Sequence, residues 1–502
     1  MGLLDDKSSS DADSEGGSLD FDRRLQKSQW VPLITAPFAA LRNVHWRQLF
    51  VRFLIFLVPS FLQGRHMREQ IRPAKVGPTA YLDGMRGLAA LFVYFCHYTY
   101  QAFIIAESWG CGDNNFHILK LPFLRLFYQG PPAVCVFFVI SGYALCYKPL
   151  KQARNRQFAD FAGTMSSMTF RRFIRLYVPT TISTFMIVCL LRMGAYDLTR
   201  DFATDRTFHK NIMEPHLRPM ESAYAQWIDW FWSMWRFIHV WDWAPHGGST
   251  DYDVHLWTIP IEFRCSLYLF LVILGSARLQ TKFRWLVVGG VTWFTYRNSR
   301  WEFTLFLAGF FLAELDHIRG AHIPQSPLPQ DEKNVKKSNS QLKSFFWGLA
   351  SILALYLMCQ PDGRGEITPG WIWLDSQIPS WWGEERFRYW QGAGAILFVL
   401  SVGFSKTWQK FFNTGIVQYF GKLSYALYLM HGPAMHCVGY HFEAWAYSVT
   451  GVEGYWFNAG WCLGACFCIP TVIWWADIFW RAVDIPTVKF GRWVETKFSI
   501  KP

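Results

Sequence analysis

The chain has 502 residues, 51% of them hydrophobic and 19% aromatic but only 17% charged, against about 25% charged in an average soluble domain. That balance excludes a soluble enzyme and describes a polytopic membrane protein, since no soluble core needs 27 Trp and 45 Phe, whereas a chain solvated by lipid uses rings at both interfaces. The formal charge of +12 does not point to nucleic acid, because Lys and Arg sit mostly in connectors between apolar runs, where anionic head groups and topology signals call for them.

The first 30 residues, with Asp5, Asp6, Asp11, Asp13 and Glu15 among Ser and Gly, read as a disordered cytosolic tail rather than a signal peptide. From Phe38 to Gln63, Arg42, Arg47 and Arg52 alternate with Leu49, Phe50, Phe53, Ile55, Phe56 and Leu57, which predicts an amphipathic helix lying in the interface. An additional spanning segment is the alternative. About ten spans follow: Gly87 to Ile105, Pro131 to Tyr147, Leu176 to Met193, Leu256 to Leu274, Phe283 to Tyr296, Trp301 to Leu315, Phe345 to Cys359, Ala393 to Phe404, Leu423 to Tyr440 and Ala459 to Trp480. Alternate connectors carry the positive charge, from Arg65, Arg68, Arg72 and Lys75 to Arg481, Lys489 and Arg492, while His441 to Asn458 has no Lys or Arg. This asymmetry predicts an even number of spans with both termini cytosolic. The long connector Gly194 to His255 holds Trp227, Trp230, Trp232, Trp235, Trp241 and Trp243, an interfacial belt or an aromatic roof over an acceptor. Gln325 to Lys343, with Pro327 and Pro329, reads as a flexible cytosolic linker.

The eleven Cys lack metal-site spacing and lie mostly in apolar runs, so they read as packing residues and no metal is expected. An ionisable residue inside a span is costly and is a functional candidate by default. Here the candidates are His97, Glu262 and His431, with Arg86 at a span mouth and His436 further along the ninth span. Arg86 and His97 are eleven positions apart, roughly three helical turns, so they share a face about 16 Å apart in depth. A buried His suits removal of a hydroxyl proton. Glu262 can orient that His, bind the acceptor, or clamp two helices. Ser141 and Gly142 form a small face, for close helix packing and for a thin acyl chain to pass. Arg171, Arg172 and Arg175 are topogenic, or hold the phosphates of coenzyme A, or both.

Five ordered stretches carry a resemblance: Arg86 and His97; Phe137-Phe-Val-Ile-Ser141-Gly142-Tyr143; Phe170-Arg171-Arg172-Phe-Ile-Arg175-Leu-Tyr177; Leu256-Trp257-Thr258 followed by Glu262; and Phe420-Gly-Lys-Leu-Ser424-Tyr425-Ala-Leu-Tyr428-Leu-Met-His431. From Thr79 to Trp480 the chain resembles the acyltransferase 3 family of integral membrane acyltransferases, its long tail and Trp-rich loop being most like fungal members. The resemblance implies an all-α, ten-span enzyme that moves an acyl group, commonly acetyl, from acyl-coenzyme A to a hydroxyl of a sugar, lipid or small molecule. It implies that His97 is the catalytic base and Arg86 a positioning residue. It places Arg171, Arg172, Arg175, Tyr177, Ser141 and Gly142 on the donor side, and Tyr425, His431 and Trp257 in acceptor or structural roles. Pro260 and Arg264, beside Glu262, depart from the family pattern and leave the role of Glu262 open.

The sequence thus divides into a tail and interfacial helix (1–76), a ten-span acyltransferase domain (77–483) and a cytosolic C-terminal tail (484–502). Acyl-coenzyme A is expected as co-substrate with no permanently bound cofactor, and lipid as the surroundings. A proton-coupled transporter is the alternative, because spans bearing His and Glu also suit a proton relay.

Overall fold

The computed structural model describes residues 46–63, 77–113, 115–241, 248–321 and 330–500, and among them every named element is a helix. The acidic leader, the basic connector 64–76 and Trp243 lie outside the described residues. The segment before Gly77 forms a unit of its own. It contains α1 (Trp46–Leu57), which leaves Phe50, Phe53, Leu54 and Ile55 exposed.

The other unit begins with α2 (Ala80–Ala102), α3 (Gly130–Arg154) and the 35-residue α4 (Phe158–Arg192). The connector holds α5 (Ala223–Ile238), after which come α6 (Thr258–Ser276), α7 (Thr281–Arg297), α8 (Trp301–Ile318) and α9 (Gln330–Met358). The remainder is α10 (Arg388–Phe404), α11 (Lys406–Phe412), α12 (Gly415–Ala434), α13 (Tyr440–Thr450), α14 (Gly454–Phe479) and α15 (Ile485–Phe498). Most of the predicted apolar segments overlap a single helix, while Leu423 to Tyr440 runs from α12 through a π turn into α13. Five stretches are long and apolar enough to cross a membrane: Gly130–Arg154, Phe158–Arg192, Val254–Ser276, Gln341–Met358 and Gly454–Phe498. Helix α2 is not among them, since it carries Asp83, Arg86, His97 and Gln101.

Two expectations change. The predicted linker from Gln325 is helical from Gln330 onward. The predicted C-terminal tail continues α14 through a π turn (Trp480–Asp484) into α15, where Glu495 pairs with Arg171 at 3.0 Å.

Helices α2 and α12 meet backbone to backbone: a Cβ on Gly87 would stand 2.2 Å from the nitrogen of Gly421, so only glycine permits the approach. Helix α12 holds Pro433, which has no N–H for the carbonyl of Leu429 four residues back. Ser183 Oγ of α4 donates to that carbonyl instead, at 3.2 Å. A π turn, Met435–Gly439, follows immediately. Such single-turn distortions gather at functional sites, and this one lies beside the candidate centre.

Candidate active site

Two groups of polar side chains inside the bundle are separated along α2 and α12. One surrounds Arg86 and the other His97. At the arginine end, Arg86 donates to Ser424 Oγ (2.9 Å) and the carbonyl of Gly421 (3.2 Å) and pairs with Asp83 at 3.4 Å. Arg172 of α4 donates to Glu262 Oε1 (2.7 Å) and Ser266 Oγ (2.9 Å), and Ser141 of α3 donates to the same Glu262 oxygen at 3.2 Å. Glu262 therefore joins α3, α4 and α6, the clamp reading among those its sequence left open. Pro260 sits in the first turn of α6, where its missing N–H has no intrahelical partner to lose, and the helix runs on through Glu262.

A narrow cavity of about 70 Å³ runs among these groups, lined by Arg86, Ser141, Arg175, Glu262, Ser424 and Tyr425. The three neighbouring arginines of α4 differ in their contacts. Arg171 is held by Glu495 and Arg172 by Glu262, while Arg175 faces the cavity with no hydrogen-bond partner among the described residues. Gly142 does not reach this cavity. A Cβ there would stand 2.2 Å from the carbonyl oxygen of Phe306, so its lack of a side chain serves the α3–α8 contact. Tyr177 packs among Phe173, Phe237 and Phe263 and lines no cavity described here. Tyr425 does line it and also donates to the carbonyl of Leu176. Trp257, just ahead of α6, lies beneath the guanidinium of Arg388 at 5.5 Å.

About three turns further along, the rings of His97, His255 and His431 converge. Ring centroids are 4.3 Å apart for His97–His255, 5.1 Å for His97–His431 and 4.8 Å for His255–His431. His255 and His431 are buried, while His97 keeps some accessible surface. His431 donates from Nδ1 to the carbonyl of Tyr428 at 2.7 Å, leaving Nε2 buried without a partner. His97 Nδ1 is likewise buried and unpartnered.

The carboxylates that serve these rings are Glu214 and Asp253, and both come from the long connector. His255 faces Asp253 Oδ1 with Nδ1 (2.8 Å) and Glu214 Oε1 with Nε2 (3.0 Å). Ionised carboxylates only accept, so the doubly protonated imidazolium is the form of His255 that satisfies both. Glu214 also accepts from His436 Nε2 (2.8 Å), Gln101 Nε2 (2.9 Å) and the hydroxyl of Tyr100. Burial by itself raises the pKa of Glu214, but His255 and His436 beside it hold the carboxyl well below its usual range. Asp253 caps a short 3-10 turn (Val254–Trp257), which fixes the ring of His255 from its own backbone. Gly432 of α12 gives that ring its room, since a Cβ there would lie 2.8 Å from His255 Nδ1.

Sequence reading named His97, His431 and His436 but missed His255, Asp253 and Glu214. A signal existed in Asp253-Val-His255, an acid two residues before a His at the mouth of a span. Nothing in the sequence connected Glu214 to it.

One nitrogen from each of His97, His255 and His431 lies within 4.8 Å of the others, a donor set of the kind that holds a transition metal. Both nitrogens of His255 already face carboxylates, however, which leaves lone pairs on His97 and His431 alone and fits proton handling better than a three-imidazole site.

A wider cavity of about 440 Å³ lies on the far side of these rings, and its wall includes Glu214, Asp253, His255, Gly432 and His436. The two cavities approach each other where Tyr428, which lines the narrow one, donates to the carbonyl of His255, which lines the wide one.

The arrangement is thus an arginine-lined cleft, an imidazole cluster about three turns away along α2 and a separate chamber against His255 and His436, and known proteins can be set beside it. The acyltransferase 3 family model, described as an acyltransferase domain, matches residues 79–480. The chain is 29% identical over 459 residues to O-acetyltransferase PaAT-1 of Phomopsis amygdali, covering 87% of each chain. It is 25% identical over 458 residues to acyltransferase clz18 of Cochliobolus lunatus, covering 82% of this chain and 94% of that one. With acyltransferase R4 of a Phoma species the identity is 25% over 418 residues, covering 76% of this chain and 88% of the other. No solved structure matches. The family match runs from the start of α2 to the end of α14 and takes in both ends of the path, and on that extent the chain belongs to the acyltransferase 3 family.

Proposed function

We propose that the protein is a multi-pass membrane O-acyltransferase that carries an acyl group from acyl-coenzyme A to a hydroxyl, with both termini and the arginine end cytosolic. The observation that carries this reading is the depth order along α2, with Arg86 on the narrow cavity and, about three turns further along, His97 grouped with His255 and His431. The printed name of PaAT-1 supports acetyl as the group transferred.

In this reading the anionic end of the donor meets Arg175, the cation with no hydrogen bond of its own, while Arg86 braces α2 against α12. The acceptor oxygen bonds to the thioester carbon as its proton passes to His97. The carbon–sulfur bond then breaks and the leaving thiolate takes the proton back from His97, giving an ester and free coenzyme A.

Purified protein given acetyl-coenzyme A is expected to release free thiol only when an extract containing the acceptor is added. His97→Ala is expected to lower that rate by roughly 100-fold to 10,000-fold with an unchanged gel-filtration profile. Full turnover in the variant would overturn the role of His97, and acceptor-independent silence of the wild type would overturn the reaction. Imidazoles between two cavities also suit a proton-coupled transporter, which substrate uptake without any acyl donor would support.

A further inference from the structure

We infer that the wide cavity behind the histidines is the acceptor chamber, and that the acceptor is a compact, largely apolar alcohol without negative charge. The inference rests on the acyltransferase reading and adds the acceptor's class to it.

The chamber is bounded by Ile187 and Leu191 of α4, by Ile212 and Met213 of the connector, and by the start of the π turn at His436. Its volume, about 440 Å³, lies near the lower end of the range for pockets that enclose a small organic molecule. A polysaccharide or a protein side chain on a folded partner would need an open groove instead.

Its lining has an apolar wall from Ile187, Leu191, Ile212 and Met213 and a polar set that includes Glu214, Asp253, His255 and His436. A molecule seated against the apolar wall therefore turns its hydroxyl toward His255, whose ring packs on His97 at 4.3 Å between centroids. His255 thus lines the chamber and touches His97, and glycine at 432 leaves its ring room, since a Cβ there would stand 2.8 Å from His255 Nδ1.

Charge sets the second criterion. Glu214, Asp251 and Asp253 all line the chamber, and none of its lining residues is Lys or Arg. A carboxylate or phosphate on the acceptor would enter a space whose three acids outnumber the imidazolium of His255, a cation already held by Glu214 and Asp253. The arginine cavity on the other side has the opposite lining, so donor and acceptor are sorted by charge before they meet.

Photolabelling tests this without relying on turnover. The probes are a diazirine-bearing cyclohexanol and its carboxylate analogue, applied to the full-length protein in detergent, with labelled peptides mapped by mass spectrometry. The neutral probe is expected to label 187–191 and 212–217, and the anionic one at least tenfold less. Leu191→Trp, which fills the chamber, should remove the label. Asp251→Lys, at an exposed position on the rim, should narrow the gap between probes at least threefold, and because it buries nothing it guards against misfolding of the first variant. Labelling elsewhere, equal labelling by both probes, or no effect of Asp251→Lys overturns the inference. Failure of the acyltransferase reading would be seen separately, as absence of thiol release from wild-type protein whose chamber still takes the neutral probe.

Discussion

The arginine end and the histidine end of the internal path solve the problem of buried charge in different ways. At the arginine end the cations never change state, and most are committed: Arg86 to Ser424, Gly421 and Asp83, Arg171 to Glu495, and Arg172 to Glu262 and Ser266. At the histidine end one ring, His255, is committed to two carboxylates, while His97 and His431 each keep a buried nitrogen without a partner. Unsatisfied buried nitrogens cost free energy, of order 1–3 kcal/mol each, and in the proposed reaction they are the atoms open to receive a proton. Fixed charge suits holding a donor in place, and titratable groups with spare lone pairs suit chemistry.

The largest expected effect that sharpens this contrast comes from Glu214→Gln. The amide keeps the shape but faces Tyr100, Gln101, His255 and His436, all donors, with an N–H of its own. Turnover should fall roughly 100-fold through kcat, with the KM for acyl-coenzyme A within twofold of wild type. A rise in donor KM instead would show that the two ends are not separate. A smaller effect is expected at the other end. Arg175→Gln should raise the donor KM about tenfold, the worth of one charge-assisted hydrogen bond, while kcat changes little. The same substitution at Arg171, whose guanidinium is held by Glu495, should leave the donor KM nearly unmoved. Equal effects at 171 and 175 would mean that bulk charge at the mouth matters and contact does not.

The two ends also differ in how far they could be read from the sequence. The arginine end was legible because its members lie in runs: Arg171-Arg172-Phe-Ile-Arg175 shows its spacing on the page, as does Glu262 four residues after Thr258. Even there, the division of labour among three arginines was hidden, since it depends on Glu495 of α15 and Glu262 of α6 arriving from distant parts of the chain. Gly142 read both as a packing position and as room for a thin acyl chain, and the space beside it is taken by α8, because a small residue reads the same whichever neighbour uses the space. At the histidine end His97 and His431 stood out as costly residues in apolar runs. Glu214 did not, because in a polar connector a carboxylate has no apolar background against which to look unusual; burial is conferred on it by Tyr100, Gln101 and the π turn.

The smallest effect concerns stability and tests whether the histidine end is the one that acid opens. His209 of the connector is buried between Phe202 and Tyr440, its Nε2 4.0 Å from the Glu443 carboxylate of α13. Burial, helped by the charge of His436, pulls its pKa down to about 4, and burial with His436 pulls that of His216 down to about 3. The unfolded values lie near 6.5, so unfolding takes up protons once the pH drops below that. The stability these residues contribute is therefore complete above about pH 6.5 and is lost toward pH 4, by about 1.4 kcal/mol per pH unit for each group. Glu443 offsets one of the two, because burial raises its carboxyl to about 8 and protonation there favours the folded state, so the net loss below pH 6.5 is about 1.4 kcal/mol per pH unit. Glu214 adds no offset, because its carboxyl stays ionised until the pH falls below the ordinary carboxylate range. The guanidinium groups of the arginine end do not titrate at all in this window. Hydrogen exchange at pH 7 and pH 5 should thus show protection falling first in peptides spanning 205–217 and 440–450, while those of α3 and α8 hold, and His209→Gln should remove most of the change. Uniform loss across both ends, or no difference in the variant, would mean that acid acts on the bundle as one unit and that the contrast between its ends is chemical but not energetic.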